Sequence, residues 1–113
     1  GVPTLAVYSS TKFFVNGFTE ALALEWERHG IQVSCVKPPI IKTTMGAAAE
    51  QYLKGGAAAL DPIMVAQTID KAIVQGGISY FVGGGLGSWS WLNGVLPEGA
   101  RTWMAKKVLG YEL

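Results

Sequence analysis

The chain has 113 residues and a formal net charge of +1, so its charge gives no electrostatic case for binding nucleic acid. Half of the residues are hydrophobic and only 15% are charged, whereas a typical soluble domain has about 25% charged residues; this deficit predicts that further chain, a second subunit or a membrane covers part of the surface. The single cysteine, Cys35, excludes an internal disulfide and a cysteine-based zinc site, and it fits a reducing, cytoplasmic compartment.

The first predicted element is a long helix from about Val7 to His29. Arg28 and His29 fall in its last turn, where cations suit the helix dipole, and Gly30 provides the stop. Apolar residues recur at the spacing of one helix face, which predicts a buried stripe made of Phe14, Val15, Phe18, Leu22 and Trp26.

A strand is predicted next, because apolar and polar residues alternate from Ile31 to Val36. Pro38 and Pro39 end it, since neither proline can donate a hydrogen bond to a sheet. The following segment, Thr43 to Leu60, is rich in Ala and Gly. It predicts one or two short helices that break at residues 55–56.

A second clear helix opens at Asp61 and Pro62, residues typical of an N-cap and a first helical position. It is predicted to end near Gln75, before two glycines. Its inward-facing positions are predicted to be Val65, Ile69, Ala72 and Ile73. A second strand over residues 78–82, a glycine-rich turn, an aromatic tail and a short last helix over residues 101–109 complete the chain.

The order of these elements predicts an α/β fold, with two strands that pair in parallel through a helical crossover. Two strands alone cannot form a stable parallel sheet that is buried on both faces. Further strands must therefore come from outside this sequence, which shows no internal repeat and no low-complexity linker. We predict that residues 1–113 are the C-terminal part of one doubly wound, Rossmann-like domain.

Tyr8 and Lys12 are the strongest candidates for chemistry, because a spacing of four residues places them on one face at the start of the first helix. A free phenol titrates near pH 10 and is a poor acid at neutrality. A nearby ammonium and the positive end of a helix dipole both favour a phenolate, which suits a phenol to general acid–base work. A Tyr and a Lys also fall at this spacing by chance, so the pair alone does not establish catalysis.

The context of this pair resembles the short-chain dehydrogenase/reductase family. The resemblance runs from Gly1 to about Val82, and its parts stand in the family's order. They are Gly1 and Pro3, then Tyr8-Ser9-Ser10-Thr11-Lys12, Ala21-Leu22 and Glu25, Gly30-Ile31 and Val33, Val36 and Pro38, Thr43-Thr44-Met45, and Asp61-Pro62 before Val65-Ala66. The ordered set is specific, although no single motif is decisive.

The resemblance implies an enzyme that uses NAD or NADP to interconvert a ketone and a secondary alcohol. It implies that Tyr8 exchanges the proton and that Lys12 assists its ionisation and bonds the nicotinamide ribose. It further implies that Pro38 and Pro39 form the turn beside the nicotinamide, with backbone groups of Ile41 and the hydroxyl of Thr43 as further contacts. Pro39 replaces the family's glycine and removes a donor. Plain helix capping is the alternative role for the Thr43 hydroxyl.

Two features of the family do not occur in this sequence: the catalytic serine upstream of the tyrosine, and the glycine-rich phosphate loop near the start of the fold. We therefore expect the chain to be a fragment or a partial gene product that is inactive alone. The alternative is a truncated, non-catalytic piece that serves interaction or assembly. The long first helix resembles the one that such enzymes use to pair subunits, which implies a homo-oligomer in the full-length form.

Two further features of the sequence have more than one interpretation. The run from Gly83 to Ser88 nearly fits a phosphate loop, but a serine stands at the third glycine position and the following residues look like a poor helix start. We interpret it as a flexible exit from the last strand. Trp89, Trp91 and Trp103 fit a core, a substrate lid, a subunit interface or a membrane-facing patch, and core or interface is favoured. No apolar run approaches the length of a membrane span, and there is no metal-ligand set.

Overall fold

The computed structural model describes residues 1, 4–50 and 59–109. The described chain contains five helices and two short strands in an α/β arrangement, as predicted. In chain order they are α1 (Ala6–Glu27), β1 (Cys35–Lys37), α2 (Thr44–Glu50), α3 (Pro62–Gln75), β2 (Ser79–Phe81), α4 (Leu86–Val95) and α5 (Glu98–Leu109).

The chain divides into two compact units. One comprises Gly1–Lys37 with Ala66–Tyr80, and the other comprises Pro38–Val65 with Phe81–Leu113. The first unit therefore holds α1, β1 and most of α3, and the second holds α2, α4 and α5. The predicted break at residues 55–56 lies outside the described residues.

The two strands pair in parallel, as predicted. The Cys35 N–H donates to the carbonyl oxygen of Ile78 at 2.7 Å, and the Lys37 ammonium donates to the Ser79 hydroxyl at 2.9 Å. Both strands are shorter than predicted, with three residues each. Residues 31–34 alternate in polarity but are not part of the sheet. In this segment the Ser34 hydroxyl donates to the Gly77 carbonyl through its side chain.

The ends of α3 confirm the sequence prediction. Asp61 Oδ1 accepts a hydrogen bond from the Ile63 N–H at 3.0 Å, which caps the first turn. Gly76 and Gly77 have φ values of 73° and 107°, a left-handed backbone that only glycine adopts readily, and they end the helix after Gln75.

The buried core of the described residues is small. In the first unit, Ala72 is a buried apolar side chain, and Thr19 is also buried, with its hydroxyl donating to the Val15 carbonyl of its own helix. In the second unit, Val82 is a buried apolar side chain. The prediction that the apolar stripe of α1 is buried was wrong for this structure, because Phe14, Val15, Phe18 and Trp26 are all exposed. The same holds for Ile69 and Ile73 of α3, of which the latter is 70% exposed.

These exposed faces have a physical reason. A helix stripe is buried only when a neighbouring element covers it, and a two-stranded sheet offers too little surface to do so. The helical spacing was therefore read correctly, while the partner of each stripe is not supplied by the described residues. This agrees with the low fraction of charged residues noted above.

The segment after β2 differs most from its prediction. Gly83 and Gly85 have φ values of 80° and 92°, and α4 begins directly after them, where a flexible exit and an aromatic tail were expected. Residues 86–95 thus form a helix despite two glycines and two serines. The last helix begins at Glu98, three residues earlier than predicted. Within the described residues, we find no helix whose length and apolar character would let it cross a bilayer.

Candidate functional site

Tyr8 and Lys12 lie one turn apart near the start of α1, as the spacing predicted. The Lys12 ammonium nitrogen lies 5.2 Å from the centroid of the Tyr8 ring. A cation at this position is attracted by the face of the ring, by about 0.5–1 kcal/mol at an exposed site. Tyr8 is 54% exposed, so its phenol is accessible from outside the described chain.

Two neighbouring hydroxyl groups bond to the backbone of the same helix. Ser10 Oγ donates to the Ala6 carbonyl at 2.9 Å, and Thr11 Oγ1 donates to the Tyr8 carbonyl at 2.7 Å. Such bonds are common for Ser and Thr within helices. Because these hydroxyls are turned to the backbone, neither donates to the phenol of Tyr8 in this structure.

The second group of candidates follows β1 and belongs to the other compact unit. Ile41 forms a parallel bridge with Leu60, in which the Lys42 N–H donates to the Leu60 carbonyl and the Leu60 N–H donates to the Ile40 carbonyl, both at 2.9 Å. The N–H and C=O of Ile41 itself must therefore point away from Leu60. The Ile41 carbonyl accepts from the Thr43 N–H at 2.8 Å, which leaves the Ile41 N–H as the backbone donor on that side.

Thr43 caps α2. Its Oγ1 accepts a hydrogen bond from the Gly46 N–H at 3.0 Å, and its carbonyl accepts one from the Ala47 N–H. The capping role that the sequence left open is thus present in the structure. The part of Thr43 in cofactor binding stays a prediction, as do those of Pro38, Pro39 and Ile41.

Gly46 was missed by the sequence analysis, although the whole turn depends on it. It is buried, and a β-carbon built on it would overlap the carbonyl oxygen of Ile41. The signal in the sequence was a glycine three residues after a capping threonine, which is the position whose N–H donates to the capping hydroxyl. Only a residue without a side chain lets α2 begin this close to Ile41.

We therefore expect Gly46→Ala to destabilise the protein by about 1–3 kcal/mol, the usual range for an overpacked position. The matched control is Gly99→Ala in α5 of the same unit, where an added β-carbon meets nothing within 4 Å. Alanine should stabilise that helix by about 0.5 kcal/mol. Urea unfolding of both variants checks the expectation, and equal stability of the two would contradict it.

No group of three or more His, Cys, Asp and Glu side chains in the described ranges, 1, 4–50 and 59–109, is arranged to hold a metal ion. The chemistry available at the two candidate groups is that of the phenol, the ammonium, backbone donors and a threonine hydroxyl.

Comparison with known proteins relates the region that contains both groups of candidate residues to a known family. The model of the short chain dehydrogenase family matches residues 1–54. A protein of Mycobacterium tuberculosis named as an oxidoreductase, SadH, is 34% identical over 95 residues. The chain belongs to the short-chain dehydrogenase/reductase family.

Other relatives in this family match shorter parts of the chain. A protein of Streptomyces coelicolor named as a ketoacyl reductase is 44% identical over 52 residues, 46% of this chain and 20% of its own. A very-long-chain 3-oxoacyl-CoA reductase of Pyrenophora tritici-repentis is 44% identical over 43 residues, 38% of this chain and 13% of its own. The match to SadH covers 73% of this chain, which spans about a third (34%) of that relative's length. No solved structure matches significantly.

Proposed function

We propose that the protein containing this chain is an NAD(P)-dependent oxidoreductase that interconverts a ketone and a secondary alcohol. The observation that carries the proposal is the Tyr8–Lys12 pair, one turn apart in α1 and inside the region that matches the family. Family membership supports the reaction class, and the geometry of the pair supports the assignment of the proton-transfer step.

In the proposed reduction, the Tyr8 phenol donates its proton to the carbonyl oxygen of the substrate, and in oxidation the phenolate accepts the alcohol proton. The Lys12 ammonium, 5.2 Å from the centroid of the Tyr8 ring, offers positive charge to the negative charge that develops on the phenol during the transfer. We further propose that the Lys12 ammonium donates to a hydroxyl of the nicotinamide ribose. A bound nicotinamide supplies or accepts the hydride.

Each compact unit, taken by itself, offers donors of the kind that a nicotinamide cofactor accepts. Lys12 offers an ammonium donor, and the Ile41 N–H points away from its bridge partner. Thr43 fits less well, because its hydroxyl already accepts the Gly46 N–H. Pro38 and Pro39 contribute no N–H. We propose that a segment outside this sequence binds the adenosine and phosphates, in agreement with the share of the relatives that the chain covers.

We also propose an apolar, acyl-like carbonyl compound as the substrate, since two relatives are named for ketoacyl and oxoacyl-CoA reduction. We further propose that the full-length protein is a homo-oligomer in the cytoplasm. The exposed aromatic face of α1, where Phe14 and Phe18 stack at 5.6 Å between ring centroids, gives an apolar surface for such an assembly. That surface equally favours the second candidate, a non-catalytic assembly piece.

One experiment separates the two candidates. The complete reading frame is expressed and mixed with NADH or NADPH and a medium-chain 3-ketoacyl thioester, and the loss of reduced nicotinamide is followed. We expect turnover with one of the two cofactors, and no turnover by residues 1–113 alone. A complete protein that neither binds the reduced cofactors by fluorescence titration nor consumes them would overturn the enzyme proposal and favour the assembly piece.

A further inference from the structure

Helix α4 differs from the other long helices in its lack of charge. None of its ten residues is ionisable, whereas α1 and α3 interleave Lys, Asp or Glu with their exposed apolar side chains. Trp91 is 69% exposed, and Leu92 and Val95 are exposed beside it. The spacing of these three residues places them along one side of the helix. The result is an uncharged, aromatic stripe on the second compact unit.

Helix α5 follows after two residues and carries the opposite kind of surface. It has three cations, Arg101, Lys106 and Lys107, against the single anion Glu98. Trp103 is exposed, and the Lys107 ammonium lies 5.0 Å from the centroid of its ring. A tryptophan whose cationic neighbour keeps its charge at the surface is typical of a side chain at a boundary between apolar and polar phases.

We propose that α4 and α5 dock the protein on the surface of a bilayer that contains anionic phospholipid. The apolar stripe of Trp91, Leu92 and Val95 enters the headgroup boundary. Lys106 and Lys107, which lie on the side of α5 that carries Trp103, face the phosphates and carboxylates of the lipid. A ten-residue helix is about 15 Å long, half of the hydrocarbon thickness of about 30 Å, so α4 lies along the surface and does not cross it.

Charge favours a lipid surface over a protein partner. Lysine is depleted at protein–protein interfaces, whereas Trp and Lys or Arg together are the residues enriched where helices meet a membrane surface. The two lysines also suit the dipole at the end of α5, but that role does not account for the exposed tryptophans. A net charge of +2 on α5, three cations less one anion, complements an anionic surface.

The test is sedimentation of the complete protein with vesicles of phosphatidylcholine alone and of phosphatidylcholine with phosphatidylserine. We expect binding to the mixed vesicles that weakens as salt is raised. The variant Lys106→Gln/Lys107→Gln should bind them roughly 30-fold more weakly, which is about fivefold for each cation removed. Trp91→Ser should weaken binding to them about tenfold.

The control variant Arg28→Gln/Lys71→Gln removes the same charge from exposed positions in the first unit and should bind as the unaltered protein does. Circular dichroism checks that each variant is folded. Absence of binding, equal binding to both kinds of vesicle, or equal losses in the control and the α5 variant would each overturn the proposal. So would a change of oligomeric state in Trp91→Ser with vesicle binding unaltered, which would assign the stripe to a second copy.

Discussion

Replacing Tyr8 by Phe in the complete protein is expected to lower kcat for carbonyl reduction by about 10²–10⁴-fold, the usual contribution of a positioned general acid. The change removes one oxygen atom and keeps the aromatic ring. Lys12 can therefore still lie over the ring face, and the helix is not disturbed. Binding of the reduced cofactor, measured by fluorescence, should be close to that of the unaltered protein.

Tyr80→Phe is the matched control. The Tyr80 hydroxyl donates to the carbonyl of Gly76 in the turn that ends α3. Its loss should lower stability by about 1 kcal/mol, the net contribution of one hydrogen bond, and leave kcat unaltered. The assignment of Tyr8 is wrong if Tyr8→Phe keeps full activity, or if both phenylalanine variants lose activity to the same extent.

Replacing Lys12 by Met should lower kcat by about 100-fold, because the developing phenolate loses its cationic neighbour. The KM for the cofactor should rise at the same time, since the proposed bond to the ribose is also lost. Lys12→Arg keeps the charge and should restore about a tenth of the activity, because a guanidinium matches the charge of an ammonium but not its compact shape.

The control for this position is Lys71→Met, which removes an exposed lysine from α3. It should change neither kcat nor KM. A purely structural role for Lys12 predicts instead that the Met and Arg variants lose stability together while the remaining folded protein keeps its kcat. Kinetics and unfolding measured on the same preparations distinguish these outcomes.

Much of the fold was predictable because its signals are local. The ends of α3 depend on Asp61 as a cap and on Gly76 and Gly77 at positive φ, all within a few residues of the boundary that they define. The Tyr8–Lys12 geometry was predictable for the same reason, since two residues four apart in a helix must meet on one face.

The misses have the opposite cause. Whether Phe14 or Ile73 is buried depends on an element that lies elsewhere in the chain or outside it, and periodicity shows only that a face is apolar. Strand β1 begins later than predicted, and before it Gln32 and Ser34 donate through their side chains to the Ala72 and Gly77 carbonyls. Helix α4 was missed because glycine and serine have low intrinsic helix propensity, which context regularly overrides.

The candidate site shows the same division. Thr43 is a short-range capping residue, and both of its possible roles could be stated from the sequence. Gly46 had a local signal as well, the glycine three residues after Thr43, but the sequence did not show that the Ile41 carbonyl occupies the place of its β-carbon.

Pro38 and Pro39, which follow β1, affect the binding free energy of any ligand that accepts a hydrogen bond from the Ile41 N–H. Each proline ring fixes its own φ near −65°, so this stretch of backbone has few alternative conformations even in the unfolded chain. The bridge to Leu60 holds its far end. A ligand that accepts the Ile41 hydrogen bond thus meets a preorganised donor, and little of its binding free energy is lost to ordering the loop.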